Sequence, residues 1–381
     1  MTPLLLLPGP VTVARPVLEA MLQPMINHRG GKFHELLDRV ASALQPIFGT
    51  GQDIYILGSS GTGAMEAAIV NCCSPGDVVL SCPIGVFGRR FGDIAKTYGC
   101  YVETLETPAG AAVDPQALAA RLDADGDRRI AAVLLTHNET STGVQNDMAA
   151  LAPILQRHGA LTLVDSVSGL GAAEFRMDEW GYDVVTTASQ KALAVPPGLA
   201  MIALSERARK AAVESRTPRY YFDFTKAREF AREGQTPWTP PVSIVYALDV
   251  ALQRYHATGL PATFARHARY ARAVRAAFEA LGWTFVSKPG AHSVTVVAAI
   301  PPETVKPAAL LERVRERYGV VLSGGQGELA GKIVRFGTMG EIDDNDIVRA
   351  IEALESALAD EGVKVERGSA VSAARAILSK R

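Results

Sequence analysis

The sequence predicts an α/β fold built on a largely parallel sheet, followed by a smaller α+β region. Three observations carry that reading. From about residue 50 to 205, short apolar runs of period two alternate with helical patterns of period 3.6. Several of those runs are apolar nearly throughout, as strands are when helices cover both faces of a sheet. Beyond Pro237-Trp238-Thr239-Pro240-Pro241 the rhythm changes to long helices interleaved with short strands.

The strands expected in the first region are, in order, Asp53–Leu57, Val78–Cys82, Tyr101–Leu105, Ala131–Thr136, Ala160–Asp165, Asp183–Thr187 and Leu199–Leu204. Helices are expected between them over Gly63–Cys73, Phe87–Tyr98, Pro115–Leu122 and Met148–His158. The second region reads as helices Val242–His256, Pro261–Leu281, Pro307–Tyr318 and Asp344–Ala359. Strands Trp283–Val286, Ser293–Ala299, Val320–Leu322 and Ile333–Phe336 lie among them. The pattern divides the chain into an N-terminal segment (1–20), a large unit (21–256), a small unit (257–365) and a tail (366–381). The tail is polar, and its weak helical pattern over Ala370–Leu378 suits surface packing or fraying.

With 381 residues, 48% of them hydrophobic, the chain can bury a large core. A net charge of −1 provides no field to draw nucleic acid or an anionic membrane, so neither is expected as a partner. The apolar run Leu4–Leu7 stops at Pro8-Gly9-Pro10, too short and too little basic for a signal peptide. No stretch reaches membrane-spanning length. The four cysteines (Cys72, Cys73, Cys82, Cys100) lack CxxC spacing, which suits reduced, buried thiols of a cytoplasmic protein. Neither a disulfide nor a metal site is expected.

Two side chains delivered from neighbouring strand ends set the chemistry. Asp165 ends Ala160–Asp165, and Lys191 follows Asp183–Thr187 in Thr187-Ala188-Ser189-Gln190-Lys191-Ala192-Leu193. An amine and a carboxylate so placed are what pyridoxal 5'-phosphate needs. The amine condenses with the aldehyde, and the carboxylate keeps the pyridine nitrogen protonated so that the ring withdraws electrons.

Upstream, Gly58-Ser59-Ser60-Gly61-Thr62-Gly63 leaves a strand and opens a helix. Its glycines admit an anion close to the backbone, and helix-start amides with the Ser60 and Thr62 hydroxyls can hold a phosphate. Taken alone, a capped glycine turn explains the same loop. Its spacing is not GxGxxG, and Thr62 stands where a nucleophile elbow needs glycine.

Phe87, in a glycine-flanked turn, is placed either to stack on a flat cofactor or to anchor a helix start in the core. Thr136-His137-Asn138-Glu139-Thr140-Ser141-Thr142-Gly143 is a polar cluster at a strand's C-terminal end, where open α/β sheets bind ligands. Thr140 is a candidate donor to a ring oxygen, whereas His137 and Glu139 serve equally as loop-stabilising residues. Arg335 interrupts the apolar run Lys332-Ile333-Val334-Arg335-Phe336-Gly337. An inward guanidinium there calls for an anion such as a carboxylate; an edge-strand arginine facing water is the competing reading.

In this order the parts resemble the class V aminotransferases of the fold-type I pyridoxal-phosphate superfamily, and most closely their alanine–glyoxylate and serine–pyruvate branch. The likeness runs from Leu7-Pro8-Gly9-Pro10 through Ser60-Gly61-Thr62-Gly63, Thr136–Gly143 and Val164-Asp165-Ser166-Val167. It continues through Ser189-Gln190-Lys191-Ala192-Leu193 and Pro196-Pro197-Gly198 to Arg335-Phe336-Gly337.

The resemblance implies a mostly parallel seven-stranded sheet between helices in a large cofactor-binding domain, with a smaller α+β C-terminal domain. It implies Lys191 as the cofactor lysine and general base, Asp165 as partner of the pyridine nitrogen, and Val167 beneath the ring. Ser60, Gly61, Thr62 and Gln190 would hold the phosphate, with Thr239 reaching in from a neighbouring subunit. Phe87 takes the stacking position, where several relatives carry tryptophan; Thr140 stands near the ring oxygen, and Arg335 matches the substrate-carboxylate arginine. A site shared in this way implies a homodimer, with the Pro-Gly-Pro segment near its interface.

The implied activity is ping-pong transfer of an amino group from a small amino acid, alanine or serine, to a 2-oxo acid, glyoxylate or pyruvate. A transaminase of an aminophosphonate or aminosulfonate is an alternative, because Arg335 would serve any anion. A lyase or cysteine desulfurase of the same fold would want a catalytic cysteine in the second half, and none lies beyond Cys100. Retention of both Lys191 and Asp165 argues against a catalytically silent binding relative.

Overall fold

Seven strands form the central sheet in a computed structural model of the chain, which describes residues 3–380. In chain order they are β1 (Ile54–Ser59), β2 (Val78–Cys82), β3 (Tyr101–Thr104), β4 (Ile130–Thr136), β5 (Leu161–Asp165), β6 (Val184–Ala188) and β7 (Gly198–Leu204). Across the sheet the order is β1-β7-β6-β5-β4-β2-β3. Neighbours from β6 to β3 run parallel. Only β7 is antiparallel to its neighbours, β6 and β1. The mostly parallel seven-stranded sheet expected from the sequence is present.

Successive residues of a strand point to opposite faces, and both faces here are apolar. Leu80, Val133, Leu135, Val164, Val185 and Met201 pack with the helices Gly31–Phe48 and Val242–Thr258 on one side. Val79, Ala132, Leu134, Leu163, Val184 and Ile202 pack with the helix Gly61–Cys72 on the other. Sandwiching the sheet in this way leaves its strand ends as the accessible surface, and the site forms there.

A second core lies C-terminal to Gly259. The helices Leu260–Ala280, Pro307–Tyr318 and Asp344–Asp360 contribute to it. They cover an antiparallel sheet ordered Thr284–Phe285, Val296–Ile300, Val334–Gly337, Ser323–Gly324. Val334–Gly337 has partners on both sides, so Arg335 is not an edge-strand residue.

The N-terminal segment joins this second core: Leu4–Leu5 pairs with Val320–Val321, and Leu6 is buried beside them. So does the tail. The helix Ser369–Leu378 buries Ala370, Val371, Ala374 and Leu378, and Glu355 accepts hydrogen bonds from the amides of Gly368 (3.0 Å) and Ala370 (2.7 Å). The weak periodic pattern is a packed helix because those small apolar residues share one face. Among the described residues no helix is long and apolar enough to cross a membrane.

Candidate active site

Strand ends and one loop deliver the functional groups. Asp165 closes β5, opposite Thr136 at the end of β4 and Thr186 in β6. β1 ends at Ser59. Ser60 then caps the Gly61–Cys72 helix in an extended conformation without using its side chain on the helix amides. The helix begins two residues earlier than its pattern predicts. Glycine is required at its start: a β-carbon on Gly61 would lie 2.7 Å from Val167 Cγ2, and one on Gly63 2.0 Å from Ser59 Oγ.

Ser60, Gly61, Thr62, Phe87, Thr140, Asp165, Val167, Gln190 and Lys191 line one cavity of about 160 Å³. Two expected residues do not line it. Arg335 is buried beside it, donating through Nε to the Gly324 carbonyl (2.7 Å) and through Nη1 to the Thr140 carbonyl (3.0 Å). Thr239 lies instead in a small pocket with Gly58, Tyr221 and Trp238.

The two central groups are tuned by burial. Burial pushes the Asp165 carboxyl up to about 6, against the Val167 amide that donates to it (2.9 Å) and the charges of Lys191 and Arg90. Burial pulls the Lys191 amine down to about 8, against the pull of Asp165. Lys191 Nζ donates to the Pro8 carbonyl at 2.6 Å. An amine in that range is roughly a tenth to a fifth neutral near physiological pH, far more than a solvated lysine, and that fraction can act as a nucleophile or base.

The polar cluster divides into two roles. Glu139, fully buried, accepts from the amides of Phe87, Gly88 and Ser141, each at 3.0 Å, and from Ser141 Oγ at 2.6 Å. It thereby caps the helix Val86–Thr97 and fixes Phe87 on its first turn rather than in a free turn. His137 meets Ser166 Oγ at 2.8 Å, and burial pulls its pKa down to about 4, so it is neutral. Both are loop-stabilising residues here. Replacing Glu139 with alanine strands three amides in the interior. A loss of about 1–3 kcal/mol is expected. A thermal midpoint equal to wild type would show that the cap carries no stability.

Arg90, Asn138, Ser168 and Met65 also line the cavity, and sequence reasoning assigned them no role. The signal for Arg90 was its spacing from Phe87, three residues on one helix face. Its guanidinium carbon lies 4.6 Å from the Phe87 ring centroid, and its Nη1 donates to Thr62 Oγ1 at 3.1 Å.

Pyridoxal phosphate fits this cavity. Ser60 and Thr62, which carry hydroxyls, and the Gly61 helix start line it, a donor set suited to a phosphate. A protonated ring nitrogen at Asp165 would supply the positive charge that its raised pKa shows to be missing.

The family model described as Aminotransferase class-V matches residues 18–339. The chain belongs to this family. Class-V aminotransferases use pyridoxal phosphate, and this member is a transaminase moving an amino group from an amino acid to a 2-oxo acid. One relative, from Synechococcus, is named soluble hydrogenase, small subunit. It is 39% identical over 99% of this chain and 98% of its own. The L-aspartate–glyoxylate aminotransferase of Paracoccus denitrificans is 38% identical over 97% of this chain and 94% of its own. Among solved structures, the pyridoxamine-pyruvate aminotransferase of Mesorhizobium loti superposes with a TM-score of 0.94 at 32% identity. That match covers 100% of this chain and 98% of the other.

Proposed function

We propose that this aminotransferase takes its amino group from a small amino acid, alanine or serine, and passes it to glyoxylate or pyruvate by a ping-pong route. The observation that carries the reading is the meeting of Lys191, Asp165 and the Ser60–Gly63 loop in one cavity. Glyoxylate and pyruvate stand in the names of the Paracoccus and Mesorhizobium relatives. The hydrogenase name of the Synechococcus relative is not carried over.

When bound, pyridoxal phosphate supplies an electron-withdrawing ring that stabilises negative charge at the substrate α-carbon. The chain does the rest. Lys191 Nζ holds the cofactor, then takes the α-proton, with the Pro8 carbonyl as its resting acceptor. Asp165 keeps the ring nitrogen's proton in place. Val167 and Phe87 would flank the ring, and Thr140 would meet its oxygen. Ser60, Gly61, Thr62 and Gln190 receive the phosphate. Arg335, anchored on two carbonyls, orients the substrate carboxylate.

We place Thr239 at the phosphate of a second copy, in a homodimer. Its separation from the cavity of its own chain and the exposed Tyr220 and Tyr221 nearby support this. Four free, buried thiols support a reducing compartment such as the cytoplasm.

The test is steady-state kinetics of the loaded enzyme with alanine, serine and aspartate as donors against glyoxylate and pyruvate. Parallel double-reciprocal lines and the highest kcat/KM for alanine or serine are expected. Intersecting lines, or a clear preference for aspartate, would overturn the proposal.

A further inference from the structure

The phosphate loop holds no charged residue. Ser60, Gly61 and Thr62 present hydroxyls and amides, yet a cofactor phosphate brings close to two negative charges. Of the residues lining the cavity only Lys191 and Arg90 are cationic, and Asp165 is the only anion. Lys191 is committed to the cofactor's aldehyde. Asp165 balances the ring nitrogen.

Consecutive arginines on the helix Val86–Thr97 divide their work. Arg89 faces outward and pairs with Glu106 at 3.3 Å. Arg90 turns to the cavity, lies over the Phe87 ring and donates to Thr62 Oγ1. It enters no ion pair among the described residues. A hydroxyl that accepts from a guanidinium keeps its own hydrogen to donate, so the Thr62 proton is free for an anion bound beside it. The remaining donors of the guanidinium are spread in a fixed fork suited to phosphate oxygens.

We propose that Arg90 is the counter-cation of the cofactor phosphate, acting directly on its oxygens and through the Thr62 hydroxyl. The inference rests on the pyridoxal-phosphate reading of the cavity. Its rival is a purely structural role, in which the guanidinium does no more than hold Phe87 and Thr62 in place.

Pyridoxal, which shares the ring and aldehyde but lacks the phosphate, separates the two. The full chain is stripped of cofactor, and dissociation constants for pyridoxal phosphate and pyridoxal are measured for wild type, Arg90→Gln and Arg90→Lys. Arg90→Gln is expected to weaken pyridoxal phosphate roughly 10- to 100-fold, the scale of a hydrogen bond to a charged group, while pyridoxal binding stays at the wild-type level. Arg90→Lys should recover much of the loss. Inorganic phosphate should compete with pyridoxal phosphate for wild type, and its inhibition constant should rise by a similar roughly 10- to 100-fold for Arg90→Gln.

Equal weakening of both ligands assigns Arg90 the structural role and overturns the proposal, as does no weakening of either. A wild-type protein that binds neither ligand fails differently, because it removes the cofactor reading itself.

Discussion

Lys191→Ala protein, incubated with pyridoxal phosphate and then borohydride, should carry no reduced cofactor on the peptide spanning residue 191. Its turnover should fall by at least the roughly 10²–10⁴-fold that a positioned general base contributes. The loss extends beyond base catalysis, because the same nitrogen holds the cofactor between turnovers. What singles out this lysine is its surroundings. Burial draws its amine down to about 8, and its Nζ is held on the Pro8 carbonyl at 2.6 Å. A solvated lysine titrates near 10.4 and is about 1% neutral at pH 8.4. The rate of cofactor incorporation should therefore rise with pH through about 8 and level off well before 10, since only the neutral amine attacks. Peptide mapping by mass spectrometry reads the first result and absorbance the second. An adduct on another lysine, with Lys191→Ala still turning over at the wild-type rate, would remove Lys191 from the mechanism.

The parts of this site legible in the sequence are those written by local rules. A strand followed by Gly-Ser-Ser-Gly-Thr-Gly must turn and open a helix, and Asp165 and Lys191 must follow strands one crossover apart. Direction within the sheet is another matter. β7 is as apolar as its neighbours, and nothing in its composition says that it runs antiparallel to them.

The remaining misses are long-range. Phe87 opens the helix that the sequence predicts, but the contact that holds it there is not legible nearby. It is helical because Glu139, 52 residues on, accepts its amide hydrogen. The Pro8 carbonyl meets Lys191 across 183 residues. Arg90 follows another arginine on an amphipathic helix, a pattern that usually marks a solvated face. Its three-residue spacing from Phe87 hints at that face, and the packing of the helix against the phosphate loop decides which of the two turns inward.

Asp165→Asn should separate function from stability more sharply than any other substitution here. With a protonated ring nitrogen bound, the variant loses one partner of a buried charge pair. A loss of 3–5 kcal/mol corresponds to roughly 10²–10⁴-fold in turnover. Without cofactor the sign reverses. Folded Asp165 titrates near 6, above an unfolded aspartate at about 3.9. The folded state thus holds the proton more tightly than the unfolded state, so stability falls as pH rises between those two values. The full penalty, about 3 kcal/mol, is present above 6.

Asparagine escapes that penalty while its carbonyl can still accept from the Val167 amide. The cofactor-free variant should therefore be more stable than wild type at pH 8, and its advantage should shrink toward pH 5. Adding pyridoxal phosphate should reverse the ranking, because tight binding stabilises the folded wild type far more than the variant. Thermal melts at both pH values, with and without cofactor, give all four comparisons. An advantage that ignores pH would mean that burial of the carboxylate is not its source, and an unreversed ranking would mean that the ring nitrogen does not meet Asp165.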